Sequence, residues 1–180
     1  MKRNILEPPR LSLTLDRICH ELIENHGDFS NSCLIGLQPR GVFFADRIYQ
    51  RLVELGFTDL KYGKLDVTFH RDDFRRRDTI LVPHPIEMDF IVEQKNVIFV
   101  DDVLYSGRTV NAALNAIQHY GRPEKVELAV LINRRFKREL PIDPDYVGLE
   151  VDTLDDAYVK VEWEAVHGED IVYLIPEKDK

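Results

Sequence analysis

Four apolar residues, Val97-Ile98-Phe99-Val100, run straight into two adjacent carboxylates, Asp101 and Asp102; Val103-Leu104-Tyr105 and the turn Ser106-Gly107-Arg108-Thr109 then open an amphipathic helix. A short apolar run is a strand buried on both faces, and a strand followed directly by a helix is the unit of a parallel α/β sheet. In such sheets ligands sit off the carboxyl ends of the strands. A helix start there offers unpaired N–H groups and a positive partial charge, Gly107 permits close backbone approach, and Ser106 and Thr109 add hydroxyls, all of which suit a phosphate. Asp101 and Asp102 are acceptors suited to sugar hydroxyls or to a hydrated Mg²⁺. The segment reads as a site for a ribose carrying a 5′-phosphate. No lysine follows the glycine, so it is not a Walker loop.

The periodicity elsewhere agrees with this class. Helical spacing over 13–26 places Leu15, Ile18, Cys19, Leu22 and His26 on one face, and over 42–55 it aligns Phe44, Ala45, Ile48, Leu52 and Leu55. A third helix over 109–119 turns Val110, Ala113, Leu114 and Ile117 inward. Ser32–Leu37, Val97–Val100 and Val126–Ile132 are short apolar strands. Lys64–Phe69 and residues 159–163 alternate as half-exposed strands, and Ile171–Ile175 closes the pattern. Only a short extended piece is expected at Tyr146-Val147, and residues 70–90 read as a hairpin or loop. The expectation is a single domain over 1–180, with 69–90 as a flexible loop or hairpin and 97–109 as the phosphate-binding segment.

The chain has 180 residues, 44% hydrophobic and 31% charged, with a formal net charge of −8. That is enough to bury a core and argues against disorder. No apolar run reaches the ~20 residues of a membrane span. The N-terminus lacks the apolar region of a secretory signal, and two cysteines, Cys19 and Cys33, fit reduced thiols in a cytoplasmic protein. Blanket nucleic-acid coating needs a basic surplus that is absent here. The deficit is local, however: residues 143–180 hold 12 acids against 3 bases, whereas residues 1–142 hold 20 acids and 21 bases.

The 97–109 segment resembles the phosphoribosyl-diphosphate (PRPP) signature of type I phosphoribosyltransferases. Asp66–Asp73, Val100–Thr109, Tyr120-Gly121-Arg122-Pro123, Leu128–Leu131 and Arg138–Ile142 further resemble the PyrR family, pyrimidine-operon attenuators with uracil phosphoribosyltransferase activity. The resemblance implies the type I phosphoribosyltransferase fold: a mostly parallel sheet flanked by helices, a small antiparallel hood and a flexible loop. It implies transfer of phosphoribosyl from PRPP to uracil, giving UMP and diphosphate. Asp101 and Asp102 would bind the ribose hydroxyls and favour a cationic transition state, while Val103, Leu104, Tyr105, Ser106, Gly107, Arg108 and Thr109 would form the PRPP loop. Gln38, Pro39, Arg40 and Gly41, after the first buried strand, match the diphosphate loop, which often holds a cis peptide in this superfamily. Pro39 makes cis accessible there, and the sequence leaves open which bond adopts it. Arg40 is the best charged donor of that loop, and a cation at a helix start is mildly unfavourable for the fold alone.

Arg71 would lie on the loop that closes over PRPP, with Arg75, Arg76 and Arg77 read as a solvated run. Mg²⁺ is expected to arrive with PRPP, and no residue is assigned as a metal ligand. By resemblance Arg134 and Val159 lie near the base. PyrR-like proteins also bind pyrimidine-leader mRNA, strengthened by UMP; Arg17, His20 and Arg138 are the candidate contacts, in a homodimer or higher assembly. The chain departs from the family's common Asp-Arg-Gly-His-Arg-Glu-Leu-Pro: Asn133–Pro141 is one residue longer and lacks the glycine, and Asp143 stands where members often carry a base. An acid there repels RNA phosphate. Two other readings are an RNA-binding attenuator with little catalysis and a type I enzyme for another base.

Overall fold

The computed structural model describes residues 2–68, 86–152 and 157–176. In chain order the elements are β1 (Arg3–Leu6), α1 (Pro8–His26), β2 (Ser32–Gln38), α2 (Gly41–Glu54), β3 (Lys61–Asp66), β4 (Asn96–Leu104), α3 (Arg108–Ile117) with a 3-10 turn after it, β5 (Lys125–Arg135), β6 (Tyr146–Asp152), β7 (Tyr158–Glu162), α4 (Glu164–His167) and β8 (Ile171–Ile175). Five strands make a parallel sheet in the order β3-β2-β4-β5-β6, and β1, β8 and β7 make a separate antiparallel sheet. The expected architecture, parallel sheet plus small antiparallel hood, is the one observed.

Alternation along β4 builds both sides of the sheet. Ile98 and Val100 enter the core shared with α1, α2 and the antiparallel sheet (Leu22, Phe44, Ile48, Val161, Trp163), while Val97 and Phe99 face the core under α3 (Val110, Ala113, Ile117). Each such buried side chain contributes about 1.5–3 kcal/mol. Most of the helix faces read from periodicity are buried, including Leu15, Ile18, Cys19 and Leu22 on α1 and Phe44, Ala45, Ile48 and Leu52 on α2; Leu55 departs from this, standing exposed just past the end of α2. α1 begins five residues earlier than its periodicity indicates, because Pro8 and Pro9 open the helix rather than end a strand; proline is tolerated in a first turn where its missing N–H is not needed.

Two strands run further than their apolar cores. β6 extends to Asp152 because it pairs with β5 as the sheet's edge, where polar residues can face solvent. β4 extends through both aspartates to Leu104. Its pairing with β2 ends at Gly36↔Val100, while its pairing with β5 continues to Leu104↔Asn133. The carboxylates therefore sit on a strand held from one side and open on the other. Residues 69–85, most of the expected loop and with it Arg71 and Arg75–Arg77, lie outside the described residues.

At the amino end of the sheet His26, closing α1, stands 2.7 Å from the Glu127 carboxylate of β5 through Nε2 and 2.8 Å from Ser32 Oγ of β2 through Nδ1. Tyr146 Oη of β6 lies 3.2 Å from the same Nε2. Burial outweighs the Glu127 charge and holds the imidazole below its usual value of 6.5. The folded state then binds fewer protons than the unfolded one as pH falls through 6.5, so stability declines on acidification. Urea unfolding between pH 8 and pH 5 should show this decline, and His26→Gln, which cannot titrate, should remove that part of it.

Candidate active site

The carboxyl ends of β2, β3, β4 and β5 converge, as parallel pairing requires, and bring Gln38, Asp66, Asp101–Asp102 and Asn133–Arg134 to one end of the sheet. All six side chains are buried. The β2–α2 loop crosses the open side of β4. A side chain on Gly41 would lie 2.6 Å from the Val100 carbonyl oxygen and 2.9 Å from both Asp101 Cα and Asp101 Oδ1, so only glycine lets the loop come this close. The Gln38–Pro39 peptide of this loop is cis.

Arg40 joins three parts of the fold. Its Nε donates to Asp102 Oδ2 at 3.0 Å, and its Nη2 donates to the Val161 carbonyl of β7 at 3.0 Å. The two aspartates are organised by their own backbone: Asp101 Oδ1 accepts from Asp102 N–H at 2.9 Å and Asp102 Oδ1 from Val103 N–H at 2.8 Å. Burial, with the neighbouring Asp102 charge, holds the Asp101 carboxyl well above the usual carboxylate range. Asp66, at the end of β3, accepts from Thr68 N–H at 2.9 Å.

The residues of the expected phosphate loop differ in what they present. Leu104 is buried in the α3-side core and Val103 packs against the opposite one, so both offer backbone only. Gly107 caps α3 with φ 91°. The Arg108 guanidinium turns away to Glu139, with Nε 2.6 Å and Nη2 2.5 Å from Oε2, leaving its backbone N–H at the helix start. Tyr105 is exposed, and Arg134 stacks over its ring at 4.1 Å.

Arg134 is itself buried and donates through Nη2 to the Ala157 carbonyl at 2.7 Å. Val159 is the other residue expected near the base; its side chain lies in the core, because that face of β7 covers the sheet. Its backbone is placed otherwise. Backbone groups two residues apart face the same way along a strand. The carbonyls of Ala157 and Val161 both accept from site arginines, so the N–H and C=O of Val159 lie on the same open edge, between Arg134 and Arg40. Sequence reasoning missed Ala157, Val161 and Glu139; the first two act through carbonyls that no side chain announces.

The candidate RNA contacts are not assembled into one patch by the contacts described. Arg17 pairs with Glu21 at 2.6 Å and donates to the Val147 and Gly148 carbonyls of β6 at 2.8 Å each. His20 Nδ1 lies 2.7 Å from the Asp16 carbonyl on α1 itself. Arg138 donates to the Tyr105 carbonyl and to Asn133 Oδ1. Cys19 and Cys33 are free and buried, and burial pushes each thiol up to about 12. Among the described residues no helix is long and apolar enough to cross a membrane.

An acid whose folded pKa is raised binds its proton more tightly in the folded state, so its contribution to stability falls as pH rises through that range. Asp101→Asn keeps the acceptor for Asp102 N–H and removes the buried charge. Thermal unfolding at pH 8 should show a higher Tm for this variant than for the parent, with the gap closing towards pH 4.

The phosphoribosyl transferase domain model matches residues 2–165. Bifunctional protein PyrR of Elusimicrobium minutum is 37% identical over 175 residues, covering 97% of each chain, and that of Microcystis aeruginosa is 43% identical over 171 residues, covering 95% of this chain and 96% of the relative. Among solved structures, a hypoxanthine phosphoribosyltransferase of Staphylococcus aureus aligns with a TM-score of 0.71 at 15% identity, covering 98% of this chain and 92% of that one. The hypoxanthine phosphoribosyltransferase of Trypanosoma cruzi aligns with 0.72 at 16% identity, covering 97% of each. At such identities the structural matches establish the fold alone.

Proposed function

The chain belongs to the PyrR family of phosphoribosyl transferase domain proteins, and from that premise we propose that it transfers phosphoribosyl from PRPP to uracil, releasing diphosphate and forming UMP. The observation that carries this reading is the Arg40 bridge. One side chain connects the β2–α2 loop, the Asp102 carboxylate and the β7 edge, which are the places for diphosphate, ribose and base.

In the reaction the C1′–O bond to diphosphate breaks with its electrons leaving on oxygen, a uracil nitrogen forms the new bond to C1′, and the proton of that N–H departs to the released diphosphate or to water. Charge builds on the leaving group and, with opposite sign, on the ribose. The ribose 2′- and 3′-hydroxyls donate to Asp101 and Asp102, and the Asp102 charge favours a cationic C1′. Those hydroxyls can take over at Asp102, which releases Arg40 towards the diphosphate. Backbone N–H groups of Ser106 to Thr109 receive the 5′-phosphate at the start of α3. Uracil offers alternating carbonyl and N–H groups along one edge; the N–H and C=O of Val159 complement part of that pattern. Mg²⁺ enters as part of the PRPP complex, its hard character matching diphosphate and carboxylate oxygens. Arg71 belongs to this reading as a diphosphate or lid residue.

Bifunctional is the word printed for the relatives, and a second role in pyrimidine-gene control through UMP-dependent binding of leader RNA is part of the proposal, in a cytoplasmic homodimer or higher assembly. Leu13, apolar and exposed on α1, supports assembly. Arg17 and His20 on the same helix are the exposed RNA candidates.

Incubating protein, Mg²⁺, PRPP and a panel of bases should yield UMP from uracil, with purines poor. Asp102→Asn should lower kcat/KM on the order of a hundredfold. No UMP above background, with Asp102→Asn indistinguishable from the parent, overturns the enzyme reading, and preferred nucleotide formation from a purine moves it to another base. Titration of labelled pyrimidine-leader RNA should give a salt-sensitive shift strengthened by UMP; no shift at low salt removes the regulatory half.

A further inference from the structure

The phosphate loop is held from behind by the segment after β5. Phe136 adopts a left-handed backbone, φ 73°, that turns the chain back towards the loop without a glycine. Arg138 then bridges two elements, donating through Nη2 to Asn133 Oδ1 on β5 at 2.7 Å and through Nη1 to the Tyr105 carbonyl. The next two N–H groups, of Glu139 and Leu140, donate to the Ser106 carbonyl at 3.0 and 3.2 Å. Glu139 grips the Arg108 side chain. Leu140 and Ile142 occupy the space beside Gly107, 3.5 and 3.3 Å from where a side chain would begin.

The consequence is directional. In a planar trans peptide the C=O and the N–H point in opposite directions. Tying the carbonyls of Tyr105 and Ser106 to the 138–140 segment turns the N–H groups of Ser106 and Gly107 the other way, into a concave array of donors of the kind that binds anions. We infer that Arg138 is a positioning residue for PRPP, fixing the direction of the phosphate-binding amides from outside the site, rather than a group offered to RNA. Burial lowers the proton affinity of the Arg138 guanidinium, with the Asp143 charge opposing it, which suits a side chain employed within the fold. The inference rests on the phosphoribosyl reading only for the identity of the anion.

Two readouts test it. Hydrogen–deuterium exchange of the free protein reports the tether directly: Arg138→Ala should speed exchange of the Glu139 and Leu140 amides, which donate to the Ser106 carbonyl, about tenfold or more. Steady-state kinetics should show the KM for PRPP raised about tenfold with kcat changed less than about threefold, the split expected when an aligned binding loop is loosened. Arg138→Lys, which can reach one of the two acceptors, should fall between. Arg135→Ala, which removes a neighbouring charge paired with Asp152 outside the site, should leave both readouts at parental values. Unchanged exchange in Arg138→Ala overturns the inference, as does loss of RNA binding with KM intact. Equal collapse of kcat and Tm overturns it too, by showing general damage. If the parent protein makes no nucleotide from PRPP, the functional reading fails, and the exchange experiment still decides whether Arg138 orders the loop.

Discussion

Everything at this site depends on how closely the β2–α2 loop approaches β4. The main sheet stops pairing β2 with β4 at Val100, one residue before the first carboxylate, and Gly41 fills the opening against the Val100 carbonyl and Asp101. A side chain larger than hydrogen would push the loop outward, and overpacking of this kind costs about 1–3 kcal/mol even where neighbours can yield. Because Gly41 sits there, Arg40 begins α2 within reach of Asp102, and its second nitrogen reaches Val161 on the antiparallel sheet. The relation between the two sheets and the placement of the catalytic groups are thus one problem with one solution.

That solution is electrostatically uneasy, in a manner suited to its substrate. Two carboxylates on successive residues are buried together, and Asp101 resists ionisation. Arg40, half-buried, offsets them in the free protein; the Asp102 and Asp101 charges, with Tyr158, outweigh the cost of its burial and raise its proton affinity. A polyanionic substrate brings charge of the same sign as the acids, so binding requires donors aimed at its phosphates and hydroxyls aimed at the aspartates. The start of α3 supplies the first without a full charge, and the ribose supplies the second. Strain of this sort is the usual companion of a functional site.

Sequence reading reached the parts of this arrangement that side chains declare. The apolar run into Asp101–Asp102 marked the carboxyl end of β4, periodicity found most of the helix faces, and the resemblance named the family. It ended β4 at Val100, because polar residues look like loop; the continued pairing with β5 that holds them in a strand is a tertiary fact. It placed Val159 near the base without showing which backbone groups stand beside it, and the open edge of β7 presents them. It put Arg108 in the phosphate loop without a partner for its side chain, and Glu139, 31 positions away, pairs with the guanidinium. In each case the missing information was a partner distant in sequence.

The same partner logic bears on the acidic C-terminal stretch. Its net charge argues against a polyanionic ligand only if the acids face solvent unopposed, and many do not. Asp170 pairs with Arg47 at 2.7 Å, Asp152 with Arg135 at 2.6 Å, and Asp145 accepts from Leu128 N–H at 2.8 Å. Asp170 and Asp152 are thus matched against bases from earlier in the chain, which weakens their share of the surface potential. Arg17 and Arg138 are likewise engaged with carbonyls and amides of their own chain. An RNA phosphate would therefore compete with internal partners instead of meeting free cations. Its binding free energy is a difference between two sets of charge-assisted hydrogen bonds, smaller than either, and a second ligand or a second subunit that reorders α1 or the Arg138 segment can change its sign.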